Sequence, residues 1–312
     1  MKFSVVVPSY RRPDALRRCI PALLDQSRPA DEIIVVVRID DDESRAVLAG
    51  YPMVLEVLVD QPGAVWAMAQ GALASSGEVI AFTDDDACPS PSWLEQLEAV
   101  YSDPTIGAAG GRDVIHDPDG SLRIEALRER VGVISSFGRL IGNHHLGSGP
   151  PRDVDVLKGV NSSYRRDVLA LPSGLRGAGT QIHFEVAMGA MVHKAGRRLV
   201  YDPAIIVDHH PAERQDLDQR GAPPASAVAG HAYNLTTSIG LLGGGRMVVR
   251  YLYAVLIGDR AMPGIARALV LVARGDHSAL TRLAGALSGN TAALWDRARG
   301  RRPTFVRPKL PT

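Results

Sequence analysis

Four apolar runs punctuate the first third of the chain, at residues 3–7, 33–37, 54–59 and 79–82. Valine, isoleucine and phenylalanine crowd them with little polar alternation, the pattern of strands covered on both faces. Between the first two, Leu16, Ile20, Leu23 and Leu24 recur at helical spacing behind Pro13 and Asp14. A proline at the first helical position and an acid in the first turn are start signals, so a helix is predicted there. The alanine-rich residues 63–75 predict a second helix, Ser76-Gly77 turns the chain into the fourth run, and a third helix is expected up to Tyr101. Strands alternating with helices imply right-handed βαβ units and a mostly parallel sheet.

Further on the texture is more broken. Residues 107–111 are small, and residues 154–166 predict a strand, a glycine break and a polar return. Residues 177–180 suggest a flexible loop leading into a helix at about 183–195, followed by short strands at 199–203 and 205–207. Residues 213–226, with Pro223-Pro224, suggest a linker, and helices follow at about 228–242, 246–258 and 263–274. The expected division is therefore a sheet domain over 1–211, itself split near residue 110, and a helical extension over 212–312. The basic, proline-containing residues 301–312 are expected to be disordered.

Composition adds a charge asymmetry. The 312 residues carry a formal net charge of +1. From residue 212 onward, however, 14 Lys+Arg face 6 Asp+Glu, or +8, which leaves 21 against 28, or −7, in the first 211. A basic tail suits anionic lipid or a phosphate-bearing substrate. Nucleic acid is not expected, because aromatic interleaving and a binding motif are missing. Cys19 and Cys88 are the two cysteines, too few for a disulfide framework, which suggests a reducing compartment. The first apolar run stops at Pro8, too short for a signal peptide, and no run reaches the roughly 20 apolar residues of a membrane span. A cytoplasmic protein, peripheral at most on the inner face of a membrane, is the expectation.

Candidate chemistry sits where strands end. The fourth run finishes in Asp84-Asp85-Asp86, and Asp40-Asp41-Asp42 follows the second. Adjacent carboxylates repel one another unless positive charge meets them, and Mg²⁺ is commonly held by one or two carboxylates with phosphate oxygens and water. Alternate residues of an extended backbone point the same way, so Asp84 and Asp86 converge while Asp85 faces elsewhere. Either cluster alone suits a solvated acidic turn. Two of them beyond the carboxyl ends of strands, where open α/β sheets bind ligands, favour a site.

Four segments then carry a resemblance: Val5-Val6-Val7-Pro8-Ser9-Tyr10-Arg11-Arg12; Ser76-Gly77 through Asp84-Asp85-Asp86; Gly159-Val160-Asn161-Ser162-Ser163-Tyr164-Arg165-Arg166; and Phe184-Glu185 ahead of Ala195-Gly196 and Val200-Tyr201-Asp202-Pro203. In this order residues 1–211 resemble the family 2 inverting glycosyltransferases with the GT-A fold, a Rossmann-like, mostly parallel α/β sheet flanked by helices. The resemblance implies a nucleoside-diphosphate-sugar donor, a hydroxyl acceptor and Mg²⁺ or Mn²⁺. It makes Asp86 the direct metal ligand, with Asp84 completing the DXD pair and Asp85 beside them at the nucleotide. Pro8, Tyr10 and Arg11 are expected to pack the nucleotide, and Asp40 or Asp42 to accept from base or ribose. The family usually has Asp-Asp directly after that strand, whereas Val37-Arg38-Ile39 intervenes here.

Glu185 stands where the family keeps the base that deprotonates the acceptor, although His183-Phe184-Glu185 departs from its Glu-Asp pair. Imidazole binds Mn²⁺ acceptably, so one of His209 and His210 is a further candidate ligand, His210 being the choice made here. Asn161, Arg165 and Arg166 are expected on the acceptor or diphosphate side, and Trp66 in the core. Met68 and Ala69 replace an Arg-Asn pair that the family often carries. The amphipathic tail helices suit a membrane face, an acceptor cap or a homodimer interface. A sugar-phosphate nucleotidylyltransferase is the alternative, disfavoured because the loop after the first strand lacks glycines; a non-catalytic nucleotide- or carbohydrate-binding scaffold is the third reading.

Overall fold

The computed structural model describes residues 1–177, 181–212 and 224–309. Most of the expected loop at 177–180 and of the linker at 213–226 lies outside the described residues. The strands are β1 (Phe3–Pro8), β2 (Glu32–Arg38), β3 (Val54–Val59), β4 (Val79–Phe82), β5 (Ala87–Pro89), β6 (Ile106–Ile115), β7 (Val133–Ile134), β8 (Leu140–Ile141), β9 (Arg152–Asp153), β10 (Ser162–Arg165), β11 (Leu171–Ser173), β12 (Arg198–His209) and β13 (Thr304–Val306). The α-helices are α1 (Pro13–Leu24), α2 (Asp42–Leu48), α3 (Ala64–Ala74), α4 (Trp93–Val100), α5 (Phe184–Lys194), α6 (Ala225–Gly240), α7 (Gly244–Leu256), α8 (Ile265–Ala273) and α9 (Ser278–Ala298).

A nine-stranded sheet runs β3-β2-β1-β4-β10-β6-β12-β5, with β9 beside β12. β1 to β4 are mutually parallel, and β12 runs parallel to β6. Helices cover both faces, which explains the unbroken apolar runs: Val5 and Val7 enter one core while Val6 enters the other. On the second face α3 lies very close to the sheet. A Cβ at Gly71 would come within 2.4 Å of the Val6 side chain and 2.9 Å of Val36, so only glycine fits there.

β10 is antiparallel to both of its neighbours and pairs Ser162 with Phe82, the last residue of β4. That register brings the turn before β10 alongside Thr83-Asp84-Asp85-Asp86. The expected strand over 154–157 does not form: Val154, Val156 and Leu157 bury their side chains from irregular backbone instead. The two expected late strands are a single strand, β12, with a register shift between Asp202 and Ile206 that accommodates Pro203.

The tail helices pack onto the sheet domain, where Val228, Leu235, Ile239 and Met262 share a core with Val156 and Val186. The longest helix among the described residues, α9, carries no periodic apolar signal, because its buried face is Ala279, Gly285, Ala286, Gly289, Asn290 and Ala293, without a stripe of large apolar side chains. That face suits close approach to α6, and a Cβ on Gly289 would meet the Ala229 carbonyl at 2.1 Å. The expected disorder is also overturned for residues 301–309, while 310–312 lie outside the described residues. β13 pairs with β11, and Arg166 Nη1 donates to the Lys309 carbonyl at 3.2 Å. Among the described residues no helix is long and apolar enough to cross a membrane.

Candidate active site

A cleft of about 450 Å³ opens beyond the carboxyl ends of β1 and β4. The loop after β1 supplies Pro8, Ser9, Tyr10 and Arg12, and the β4 end supplies Asp84, Asp85 and Asp86. Lys158 and Gly159 enter from the turn before β10, Glu185 from the first turn of α5, and His209 from the last position of β12. Five segments distant in sequence thus converge because their strands or helices all end at one edge of the sheet.

Asp84, Asp86 and His209 each offer one ligand atom, and these atoms lie within 4.8 Å of one another. Asp86 Oδ1 is buried and accepts no hydrogen bond, while Oδ2 accepts from the Ala212 backbone N–H at 2.8 Å. A buried carboxylate oxygen without a hydrogen bond, a second carboxylate and an imidazole form a donor set that fits a divalent cation. His209 Nε2 lies 3.4 Å from Asp86 Oδ1, and its Nδ1 lies 3.5 Å from Asp113 Oδ2. A carboxylate behind the ring is the usual device for orienting a ligating histidine.

Charges in the cluster are strongly perturbed. Burial pushes Asp84 up, and the neighbouring Asp86 adds to it. Burial acts upward on Asp86 as well, but His209, the Ala212 N–H and Arg12 outweigh it and hold the carboxyl below the usual range. Burial disfavours the charged His209 ring, yet its contacts with Asp113 and Asp86 raise it to about 9. Cation binding through Nε2 would therefore displace a proton.

Glu185 lines the same cleft as this cluster. Desolvation raises its carboxyl to about 7, and the charge of Asp84 contributes in the same direction. His183 precedes the helix with φ 73°, the left-handed turn from which α5 starts. A Cβ at Gly159 would stand 3.2 Å from the Phe184 ring and 3.7 Å from Glu185 Oε1, so glycine keeps the space before the carboxylate open.

Several expected site residues have other employment. Asp85 accepts from Ser9 Oγ at 2.7 Å and Arg12 Nη1 at 2.8 Å, tying the β1 loop to β4 from the cleft wall; burial pushes its carboxyl to about 6 against the opposing Arg12 charge. Pro8 and Tyr10 line the cleft, but Arg11, Asp40 and Asp42 are not among its lining residues. Asp40 pairs with Arg38 at 3.0 Å and Arg11 at 3.6 Å, and Asp42 with Arg45 at 3.5 Å on the helix surface. The buried member of that triplet is Asp41, which caps α2 through the Ser44 N–H and accepts from the Arg11 N–H, holding Arg11 at φ 53°.

The imidazole that joins Asp84 and Asp86 is that of His209, not of the expected His210. Successive strand residues face opposite ways, and His210 stacks on His116 at 4.2 Å, outside the cluster. Asn161, Arg165 and Arg166, expected on the acceptor or diphosphate side, are not among the residues lining the cleft. Trp93 Nε1 donates to Asn161 Oδ1 at 2.9 Å, Arg165 donates to the Ile106 and Tyr101 carbonyls, and Arg166 to the Gly77 carbonyl. Trp66, expected in the core, is partly exposed.

The sequence reading missed Lys158, Arg12, Arg123 and Asp113. Lys158 and Arg123 line the cleft, and Lys158 Nζ pairs with the buried Asp113 carboxylate. Lys158 immediately precedes the Gly159 segment and was open to detection there. Arg123 belongs to no motif.

Comparison with known proteins gives a consistent answer. The profile of glycosyl transferase family 2 matches residues 4–170, just over half the chain. A glucosyl-dolichyl phosphate glucuronosyltransferase of Haloferax volcanii is 27% identical over 224 residues, covering 67% of this chain and 69% of that protein. Among solved structures, a mannosyltransferase of Pyrobaculum calidifontis, PcManGT, superposes with TM-score 0.54 at 15% identity, covering 95% of this chain and 88% of that one. Residues 1–349 of S. aureus TarS superpose at 0.55 with 13% identity, covering 96% and 92%. At such identities these two likenesses establish the fold, a GT-A arrangement. The chain belongs to glycosyltransferase family 2.

Proposed function

We propose that this glycosyltransferase is an inverting, divalent-cation-dependent enzyme that moves a sugar from a nucleoside-diphosphate sugar to a hydroxyl of a glycan, lipid or natural product. One observation carries the reading: the Asp84–Asp86–His209 cluster and Glu185 line the same cleft. The Haloferax relative is named for a dolichyl-phosphate-linked substrate, and PcManGT was solved with GDP-Man and Mn²⁺, the substrate and ion classes this cleft suits.

Asp84, Asp86 and His209 would hold the cation, with Asp113 behind His209. When bound, the cation supplies Lewis-acid stabilisation for the charge that grows on the departing diphosphate. Lys158 and Arg12 add positive charge that acts on Asp84. Tyr10, with the Arg38 guanidinium 4.5 Å from its ring centre, offers a flat surface for the base. Glu185 accepts the proton of the acceptor hydroxyl as its oxygen bonds to the anomeric carbon and the bond to diphosphate breaks. A carboxyl poised near 7 is well matched to that task, since the most effective base has a proton affinity close to the working pH.

A panel of nucleotide sugars, screened for nucleoside-diphosphate release with and without Mn²⁺, tests the reading. Release is expected to need the cation and to be lost in Asp86→Ala. Full turnover in chelator, or by the Asp86→Ala protein, excludes the metal role.

A further inference from the structure

Helix α8 runs Ile-Ala-Arg-Ala-Leu-Val-Leu-Val-Ala, yet only Ala268 is buried. An amphipathic helix on a globular protein ordinarily turns its large apolar residues inward. Here Leu269 is 64% exposed, and Ile265 and Val270 are close to half exposed. Helix α7, joined to α8 by a tight turn in which the Gly264 N–H donates to the Ile257 carbonyl, adds Leu252 and Leu256 at 54% and 57%. Large apolar side chains left exposed on two consecutive helices that pack against each other mark an interaction site rather than scattered exposure.

Its charge identifies the occupant. Arg260, in the connection between the two helices, and Arg274, at the C-cap of α8, are exposed. The acids within residues 244–276 are Asp259 and Asp276, and Asp276 is already paired with Arg282 at 2.8 Å. A second copy of the chain docking symmetrically would set this cationic rim against itself. An anionic lipid surface meets both the apolar residues and the arginines. We propose that the α7–α8 face seats in the interfacial layer of an anionic bilayer, lying in it rather than crossing it. The surface is separate from the cleft lining, so the proposal stands independently of the donor and acceptor assigned above.

The test is co-sedimentation of the full chain with vesicles of phosphatidylglycerol and phosphatidylcholine, and with phosphatidylcholine alone. The wild type is expected to pellet with the anionic vesicles and weakly with the neutral ones. Leu252→Glu with Leu269→Glu should lower partitioning at least tenfold while leaving diphosphate release in solution unchanged. Arg260→Gln with Arg274→Gln should lower binding to anionic vesicles about 25-fold, roughly fivefold per arginine near the surface. Should the glutamate pair lose wild-type helicity, the glutamine pair decides alone. Absence of wild-type binding to anionic vesicles overturns the proposal, as does unchanged binding by well-folded variants. A lipid-free dimer that the glutamate pair dissociates also overturns it, by assigning the face to self-association.

Discussion

Replacing Glu185 by glutamine removes the charge and keeps the shape, so it separates what the carboxylate does for the fold from what it does for the reaction. Desolvation moves this carboxyl from its ordinary 4.5 to about 7. Ionising it inside the fold therefore costs about 3 kcal/mol relative to the unfolded chain. The sign follows from linkage. The folded protein holds the proton more tightly, so the cost is absent below about pH 4.5, grows between 4.5 and 7, and is complete above 7. In urea unfolding with chelator present, Glu185→Gln is expected to be more stable than wild type by roughly 3 kcal/mol at pH 8 and by less than about 1 kcal/mol at pH 5. Transfer should move the other way. Loss of a general base lowers it by roughly 10² to 10⁴, and the wild-type rate should rise about tenfold per pH unit towards pH 7 and then level off. A stability difference independent of pH, or a variant that transfers at the wild-type rate, refutes the burial argument or the base assignment respectively.

Three further substitutions probe the support around the cleft. His209→Ala should weaken Mn²⁺ binding by roughly tenfold or more, whereas His210→Ala should leave it unchanged; calorimetry with Mn²⁺ and nucleoside diphosphate distinguishes them, and equal losses contradict the strand-alternation argument. Arg12→Ala strands the buried Asp85 carboxylate and should cost about 3–5 kcal/mol in denaturant unfolding; a change below about 1 kcal/mol would mean that solvent reaches Asp85 freely.

The parallel core was legible because β1, β2 and β4 are buried on both faces, which leaves apolar runs that a half-exposed strand does not have. Helix α9 was not, because the feature that packs it against α6 is a lack of side chain at Gly285 and Gly289, and a periodicity of large apolar residues cannot register that. β13 was hidden for another reason: its partner, β11, lies some 130 residues away, and a three-residue strand in a basic stretch has no local signal. In the site, Asp84, Asp86 and Glu185 stood out by residue type and position. The choice between His209 and His210 depended on the phase of β12, which the shift around Pro203 sets and the sequence alone does not fix. Asp40 and Asp42 do not line the cleft, and an acidic triplet does not reveal which member is buried. Asp41, the one not chosen, holds the loop, while Asp40 and Asp42 are spent on surface arginines.

In the mechanism proposed above, the diphosphate leaves from one side of the sugar while Glu185 works on the other, in a single displacement. The anomeric configuration of the product, measured by NMR before any mutarotation and compared with that of the donor, tests this directly. Opposite configurations are expected, an α-linked donor giving a β-linked product. Retention would contradict the proposal, because it requires a second displacement or same-face attack in place of a single displacement with Glu185 as base.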